Sequence, residues 1–338
     1  MKDKVTTLQM KEGKPFRILQ LTDIHLGGYI FTNKEDKQAI EDVRLLVETA
    51  KPDFIAVTGD AVYPMPFWPK PFFSGSLNNL KASKKFGSLM ESFNIPWGFV
   101  FGNHDCEVWS FYNKDKLSDY YESLDNCLFQ KGEYFDKDRG NYSIKLLNTD
   151  GSLNTLLMFL DSNSYLGKMF FSGFDVIHDE QIEWYKKVVS ENTVDGKIPP
   201  SLAFFHIPPK EFRDAWEKCY RGDPSVQYNL GFIQEKDNYV GYPKTKEGKF
   251  FEEMVKLGSC KGMFFGHDHL STMSLTYKGI QMTYGMSIDH LAYKGIKKRH
   301  GQRGGTIITI QADGSFDVSM LPLEDLQGIS YYKTKMDN

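Results

Sequence analysis

Five times along this chain a short apolar run ends on one or more side chains able to bind a metal ion. Asp23-Ile24-His25 follows Phe16 to Leu21, and Gly59-Asp60 follows Phe54 to Val57. Gly102-Asn103-His104-Asp105 follows Trp97 to Phe101, His206 follows Leu202 to Phe205, and Gly266-His267-Asp268-His269 follows Gly262 to Phe265. Each block alone is unremarkable: Asp-x-His is a common accident, Gly-Asp is a turn signal, and Gly-Asn-His-Asp is an ordinary loop. Together and in this order they constrain the fold, because strands that carry such groups just past their carboxyl ends must bring those ends to one edge. Five of the eight histidines fall in these stretches. Imidazole, carboxylate and amide oxygen without thiolate suit Zn, Mn or Fe. If the backbone stays extended, the period of two in Asp23-x-His25 and His267-x-His269 points both side chains of each pair the same way.

The intervening sequence supplies the scaffold. Ala39, Ile40, Val43, Leu46, Val47 and Ala50 recur at helical spacing and Pro52 stops that helix, while a second helix is predicted from about Leu77 to Phe93. Near-continuous apolar strands alternating with helices indicate a covered parallel sheet. A hairpin is predicted at 141–147 and 155–161, helices at 179–190 and 247–257, and an all-β finish at 271–276, 281–284, 306–310 and 316–320. Sites contributed from residue 23 to residue 269 must converge, so the expectation is one α/β domain over 1–338, with its core at about 15–322.

Composition removes several classes of function. With 41 basic and 44 acidic residues the net charge is −3, which gives no general attraction to nucleic acid or anionic membrane. No apolar run approaches the ~18 residues of a membrane span. Cys106, Cys127, Cys219 and Cys260 are scattered without a CxxC pair and read as reduced thiols. Met1 to Lys14 is polar and mixed in charge, so a cytoplasmic location is expected.

The five blocks resemble the signature of the calcineurin-like metallophosphoesterases. Gln181-Ile182-Glu183-Trp184, Phe205-His206-Ile207-Pro208 and Thr283-Tyr284-Gly285 are similar to the purple-acid-phosphatase-like branch. The resemblance implies a four-layer αββα sandwich, two mixed β-sheets face to face with helices outside, and two metal ions (Mn, Fe or Zn) on one edge. It assigns Asp23, His25, Asp60 and His269 to one metal and Asp60, Asn103, His206 and His267 to the other, with Asp60 bridging. It makes His104 the non-ligand histidine beside a small phosphoester substrate. Two ions ~3.5–4 Å apart can each hold a phosphate oxygen and share a hydroxide nucleophile. His104 would then stabilise charge or protonate the leaving oxygen. The alternative is a catalytically weak metal-binding or regulatory module on the same fold.

Several residues have two readings. Asp105 orients His104 or is an exposed loop carboxylate; Asp268 supports the ligands from behind or is likewise exposed. Tyr63 stands where purple acid phosphatases place an iron-ligating tyrosinate, but those enzymes lack a histidine at the position of His25. His25 is therefore taken as the ligand and Tyr63 as a pocket wall or a donor behind the ligands. Pro64 to Gly75 (PMPFWPKPFFSG) is an aromatic lip or a packed loop, and Trp109 and Phe111 join the lip or the core. The basic run Lys297-Lys298-Arg299-His300 with Arg303 is a solvated hairpin tip or, through Arg303, a phosphate clamp.

Overall fold

The computed structural model describes residues 7–28, 32–64, 77–132, 138–166, 173–244, 248–293, 296 and 303–328. The first strands are β1 (Thr7–Gln9), β2 (Phe16–Leu21), β3 (Phe54–Thr58) and β4 (Trp97–Val100), with helices α1 (Asn33–Ala50), α2 (Asn79–Glu91) and α3 (Lys114–Glu122). The hairpin β5 (Tyr142–Leu147) and β6 (Leu153–Phe159) leads to α4 (Asp179–Glu191), β7 (Ser201–Phe204), α5 (Lys210–Tyr220), β8 (Val226–Leu230) and α6 (Phe250–Leu257). The chain then runs through β9 (Cys260–Phe265), β10 (Ser274–Tyr277), β11 (Ile280–Tyr284), β12 (Gly304–Ile310) and β13 (Phe316–Pro322) to the short helix α7 (Leu323–Gln327).

These strands make two mixed sheets. One has the order β13-β12-β2-β3-β4 and the other β1-β5-β6-β7-β9-β11-β10-β8. Strands β2, β3 and β4 are parallel to one another, as are β6, β7, β9 and β11. The predicted parallel sheet and hairpin are therefore present, and the all-β finish is corrected by α7.

The central strands of the larger sheet are buried on both faces, and their side chains divide with the strand period of two. Leu157 and Phe159 of β6, Leu202 and Phe204 of β7, and Phe264 of β9 face the five-stranded sheet. Leu156, Met158, Ala203, Met263 and Phe265 face the opposite way, against Tyr185 of α4, Phe212 of α5 and Phe250 of α6. Tyr142, Phe159, Phe204 and Phe264 stack across adjacent strands at centroid spacings of 4.8, 5.0 and 5.3 Å. Each such pair is worth about 0.5–1.5 kcal/mol beyond its buried area. Ala39, Val43, Leu46 and Val47 of α1 and Ala82, Phe86 and Met90 of α2 complete the core on the side of the smaller sheet. This packing fixes the carboxyl ends of β2, β3, β4, β7 and β9 in register. No helix among the described residues is long and apolar enough to cross a membrane, and none of the four cysteines is in a disulfide.

Candidate metal centre

Each of the five blocks leaves its strand within a few residues, and the loops turn abruptly. Asp23, Asp60 and His25 have φ of 51°, 51° and 54°, and His267 has 80°. Such left-handed backbone in non-glycine residues costs about 1–3 kcal/mol apiece and persists only where surroundings enforce it. The extended-backbone argument for Asp23-x-His25 and His267-x-His269 is thus corrected: the side chains converge because the loops curl, not because strands continue. Two glycines permit this. A Cβ on Gly59 (φ +85°) would meet His206 Nδ1 at 2.7 Å, and one on Gly102 would meet Asp60 Oδ1 at 2.1 Å.

The seven expected ligand residues lie together. Asp60 Oδ2 is 3.3 Å from His25 Nε2 and 3.1 Å from His206 Nε2, so a single carboxylate oxygen reaches both groups. Asn103 Oδ1 is 3.1 Å from His206 Nε2 and 2.9 Å from His267 Nδ1. His269 Nε2 is 3.5 Å from Asp23 Oδ1. Ligand atoms of Asp23, His25 and His269 lie within 4.8 Å of one another, as do those of Asp23, Asp60 and His206 and those of His25, Asp60 and His104.

Hydrogen bonds from behind decide which atoms face inward. His206 Nδ1 is 2.8 Å from the Thr58 carbonyl, which can only accept, so Nδ1 carries a proton and Nε2 is the nitrogen turned toward the other ligands. Asn103 Nδ2 donates to Tyr165 Oη at 3.0 Å, which turns Oδ1 inward. Ser162 Oγ accepts from the backbone N–H of His206 and Ile207 at 3.2 and 2.9 Å. Gln181 of α4 is buried and donates to Asn141 Oδ1 and the Asp161 carbonyl, steadying the segment that carries Ser162 and Tyr165.

The electrostatics suit a bound cation. Burial opposes ionisation of Asp60, but His206 and His104 hold it well below the usual carboxylate range. Burial likewise opposes charge on His25, and Asp289 and Asp60 nonetheless raise it well above the usual imidazole range. Burial and the charge on His206 push His267 the other way, well below its usual value. These carboxylates stay ionised in the interior because positive charge sits beside them, the service a metal ion performs. With the oxygen- and nitrogen-rich donor set, the residues present fit metal ions of the Zn, Mn or Fe type.

Other expected residues fall differently. His104 Nδ1 is 2.6 Å from Glu107 Oε1, and its backbone N–H donates to Asp60 Oδ1 at 2.8 Å. Asp105 does not orient His104, nor is it exposed. Its buried carboxylate accepts the backbone N–H of Asp60 (3.0 Å), Val62 (3.0 Å) and Gly102 (2.7 Å), tying two ligand loops together. Asp268 is also buried and accepts from the Gly241 N–H at 2.7 Å and from the Tyr284 hydroxyl, bracing the loop after β9. Tyr63 packs edge-on against His25 and His104 at 5.3 and 4.9 Å, and burial pushes its phenol up to about 12. Arg303 donates from Nε and Nη2 to the Asp289 carbonyl at 3.0 and 2.8 Å. Trp109 Nε1 donates to the Pro64 carbonyl at 2.9 Å, and Phe111 is 63% exposed and so not core. Residues 65–75 of the aromatic lip and the basic run 297–300 lie outside the described residues.

Two acidic residues escaped the sequence reasoning. Glu107, three residues after His104, carries the signal of an acid next to a histidine in a loop. Asp289 follows Tyr284 by five residues with no block to mark it, yet it approaches both His25 and His269.

The calcineurin-like phosphoesterase family model matches residues 16–271. The chain is 27% identical over 321 residues to probable inactive purple acid phosphatase 28 of Arabidopsis thaliana, covering 85% of this chain and 73% of that protein. It is 28% identical over 286 residues to a phosphatase of Saccharomyces cerevisiae, covering 78% of this chain and 45% of that one. Among solved structures, a dimetal phosphatase from Danio rerio has the same fold, with a TM-score of 0.56 at 12% identity, over 91% of this chain and 96% of that one. The match of the family model to most of the chain, on two mixed sheets flanked by helices, establishes that this protein belongs to the calcineurin-like phosphoesterase family.

Proposed function

We propose that this protein is a metal-dependent phosphoric-ester hydrolase. The observation that carries the reading is Asp60 Oδ2, placed 3.3 Å from His25 Nε2 and 3.1 Å from His206 Nε2, so that the Asp60 carboxylate would belong to both groups of ligands. Asp23, His25, Asp60 and His269 would hold one ion, and Asp60, Asn103, His206 and His267 the other. When bound, such ions supply Lewis acidity toward phosphate oxygens and a lowered pKa for water in the site.

The chain's own residues supply orientation and a proton. Thr58 and Tyr165 keep the lone pairs of His206 and Asn103 directed inward. His104 Nδ1–H donates to Glu107, which leaves Nε2 to hold a proton and pass it to the departing ester oxygen. Charge that builds on the phosphate oxygens in an in-line displacement would be offset at the same place. Three relatives are named probable inactive purple acid phosphatases, and that naming favours the alternative of a metal-binding module with weak catalysis. Every ligand position and the His104–Glu107 pair are present here, which supports the enzyme.

The test is a parallel assay of aryl phosphate monoester and diester with Mn, Fe, Zn or no metal, alongside Asp60→Asn and His104→Ala. Metal-dependent hydrolysis lost in both variants is expected. Turnover that survives chelation and both substitutions refutes the mechanism, whereas two bound ions without turnover establish the binding module.

A further inference from the structure

Asp289 lies outside the five blocks, yet its carboxylate is where two of their histidines meet. Oδ1 is 3.5 Å from His25 Nδ1 and Oδ2 is 3.1 Å from His269 Nδ1. The other nitrogen of each ring faces the opposite way, His25 Nε2 toward Asp60 and His269 Nε2 toward Asp23. The two rings are neighbours, with centroids 4.9 Å apart. Both Nδ1 atoms are buried and make no hydrogen bond of ordinary geometry among the described residues, and the carboxylate that faces each of them is that of Asp289.

The surroundings of the carboxylate show what it accepts. Leu291 and Ala292 donate backbone N–H to Oδ1 at 2.9 and 2.7 Å, and Tyr293 donates to Oδ2 at 2.6 Å. An anion ringed by amide N–H groups sits in a field that disfavours a directly bound cation. Asp289 therefore suits two more N–H donors better than it suits a metal. It is itself held on three sides. Its backbone N–H donates to the Asp23 carbonyl at 2.8 Å, and its carbonyl accepts from Nε and Nη2 of Arg303. The next residue, His290, lies 2.6 Å from Asp42 of α1, which also accepts from Gln327 of α7.

We propose that Asp289 is the positioning residue for one half of the metal centre, holding His25 and His269 together in the Nδ1–H form so that both Nε2 lone pairs face the metal position. A carboxylate behind a ligating imidazole fixes its tautomer and orientation; here one carboxylate does this for two ligands, with Arg303 and His290 as its supports. The inference rests on the ligand assignment above.

The test uses the full chain loaded with zinc. Asp289→Asn keeps the shape, but its amide N–H₂ cannot accept and so drives a facing imidazole to the Nε2–H form. Zinc titration of the wild type should show two equivalents. In the variant one equivalent should weaken by about 10–100-fold while the other keeps its affinity. In ¹H–¹⁵N spectra of zinc-loaded wild type, His25 and His269 should show Nδ1–H protons that exchange slowly, and at least one should exchange fast in the variant. Two unchanged equivalents in Asp289→Asn, or equal weakening of both, overturn the assignment of Asp289 alone. Failure of the wild type to bind zinc overturns the ligand reading as well. Should Asp289→Asn not fold, the wild-type spectrum decides: a proton on Nε2 of either ring refutes the proposal.

Discussion

Gly102→Ala adds one methyl group at the position where the loop after β4 crosses Asp60. The new Cβ would lie 2.1 Å from Asp60 Oδ1 and 2.4 Å from Asp60 N, where ordinary contact begins near 3.4 Å. Asp60 would have to retreat by about 1.3 Å, and it is backbone as well as side chain that blocks the space. The same carboxylate accepts the His104 N–H at 2.8 Å and stands 3.1–3.3 Å from His206 and His25, so the displacement reaches both halves of the site at once. Overpacking of this kind costs about 1–3 kcal/mol of stability, and a shift of about 1 Å at a reacting centre costs about 10²-fold in rate. The expected outcome is a folded protein, with Tm lowered by a few degrees, that loses about 10²-fold in kcat/KM and holds fewer than two metal ions. Gly248→Ala is the control, because its Cβ would meet only Val176 at an ordinary 3.4 Å. The reasoning fails if Gly102→Ala keeps two ions and activity within threefold of the wild type.

Glu107→Gln removes the charge beside His104 Nδ1 while keeping an acceptor; kcat should fall about 10-fold or more with metal content unchanged, whereas lost metal would make Glu107 merely structural. Tyr63→Phe should leave metal affinity within threefold, and the iron-loaded wild type should be colourless; a purple wild type that bleaches in the variant would make Tyr63 a ligand. Metal-free protein should melt at falling temperature as pH rises from 6.5 to 9. The reason is that burial disfavours charge on His206 but Asp60 outweighs it and lifts the imidazole to about 9. A group raised above its ordinary 6.5 gives stability that is complete below 6.5 and lost as pH passes through 9. A flat or rising Tm across that window would contradict this.

The site was legible where polar residues follow apolar strands. Asp23, Asp60, Asn103, His206 and His267 stand out because β2, β3, β4, β7 and β9 are buried on both faces and read as continuous apolar runs. Helix α5 was missed because only Phe212 and Ala215 are buried on it, and β1 and β8 because they are short edge strands with largely exposed residues. Asp289 left no trace in sequence: it serves His25 and His269 from a loop, and only the folded chain brings them within 3.5 Å. Asp105 and Asp268 looked like loop carboxylates because nothing local announces that the N–H groups they accept come from Val62 and Gly241.

The central claim is that hydrolysis depends on two ions gathered around Asp60. Chelator-stripped protein should be inactive, and titration with Mn, Zn or Fe should restore phosphoester hydrolysis only as the second equivalent binds, with Asp60→Asn restoring none. Full activity in the stripped protein, or activity complete at one equivalent and unchanged in Asp60→Asn, would contradict the account.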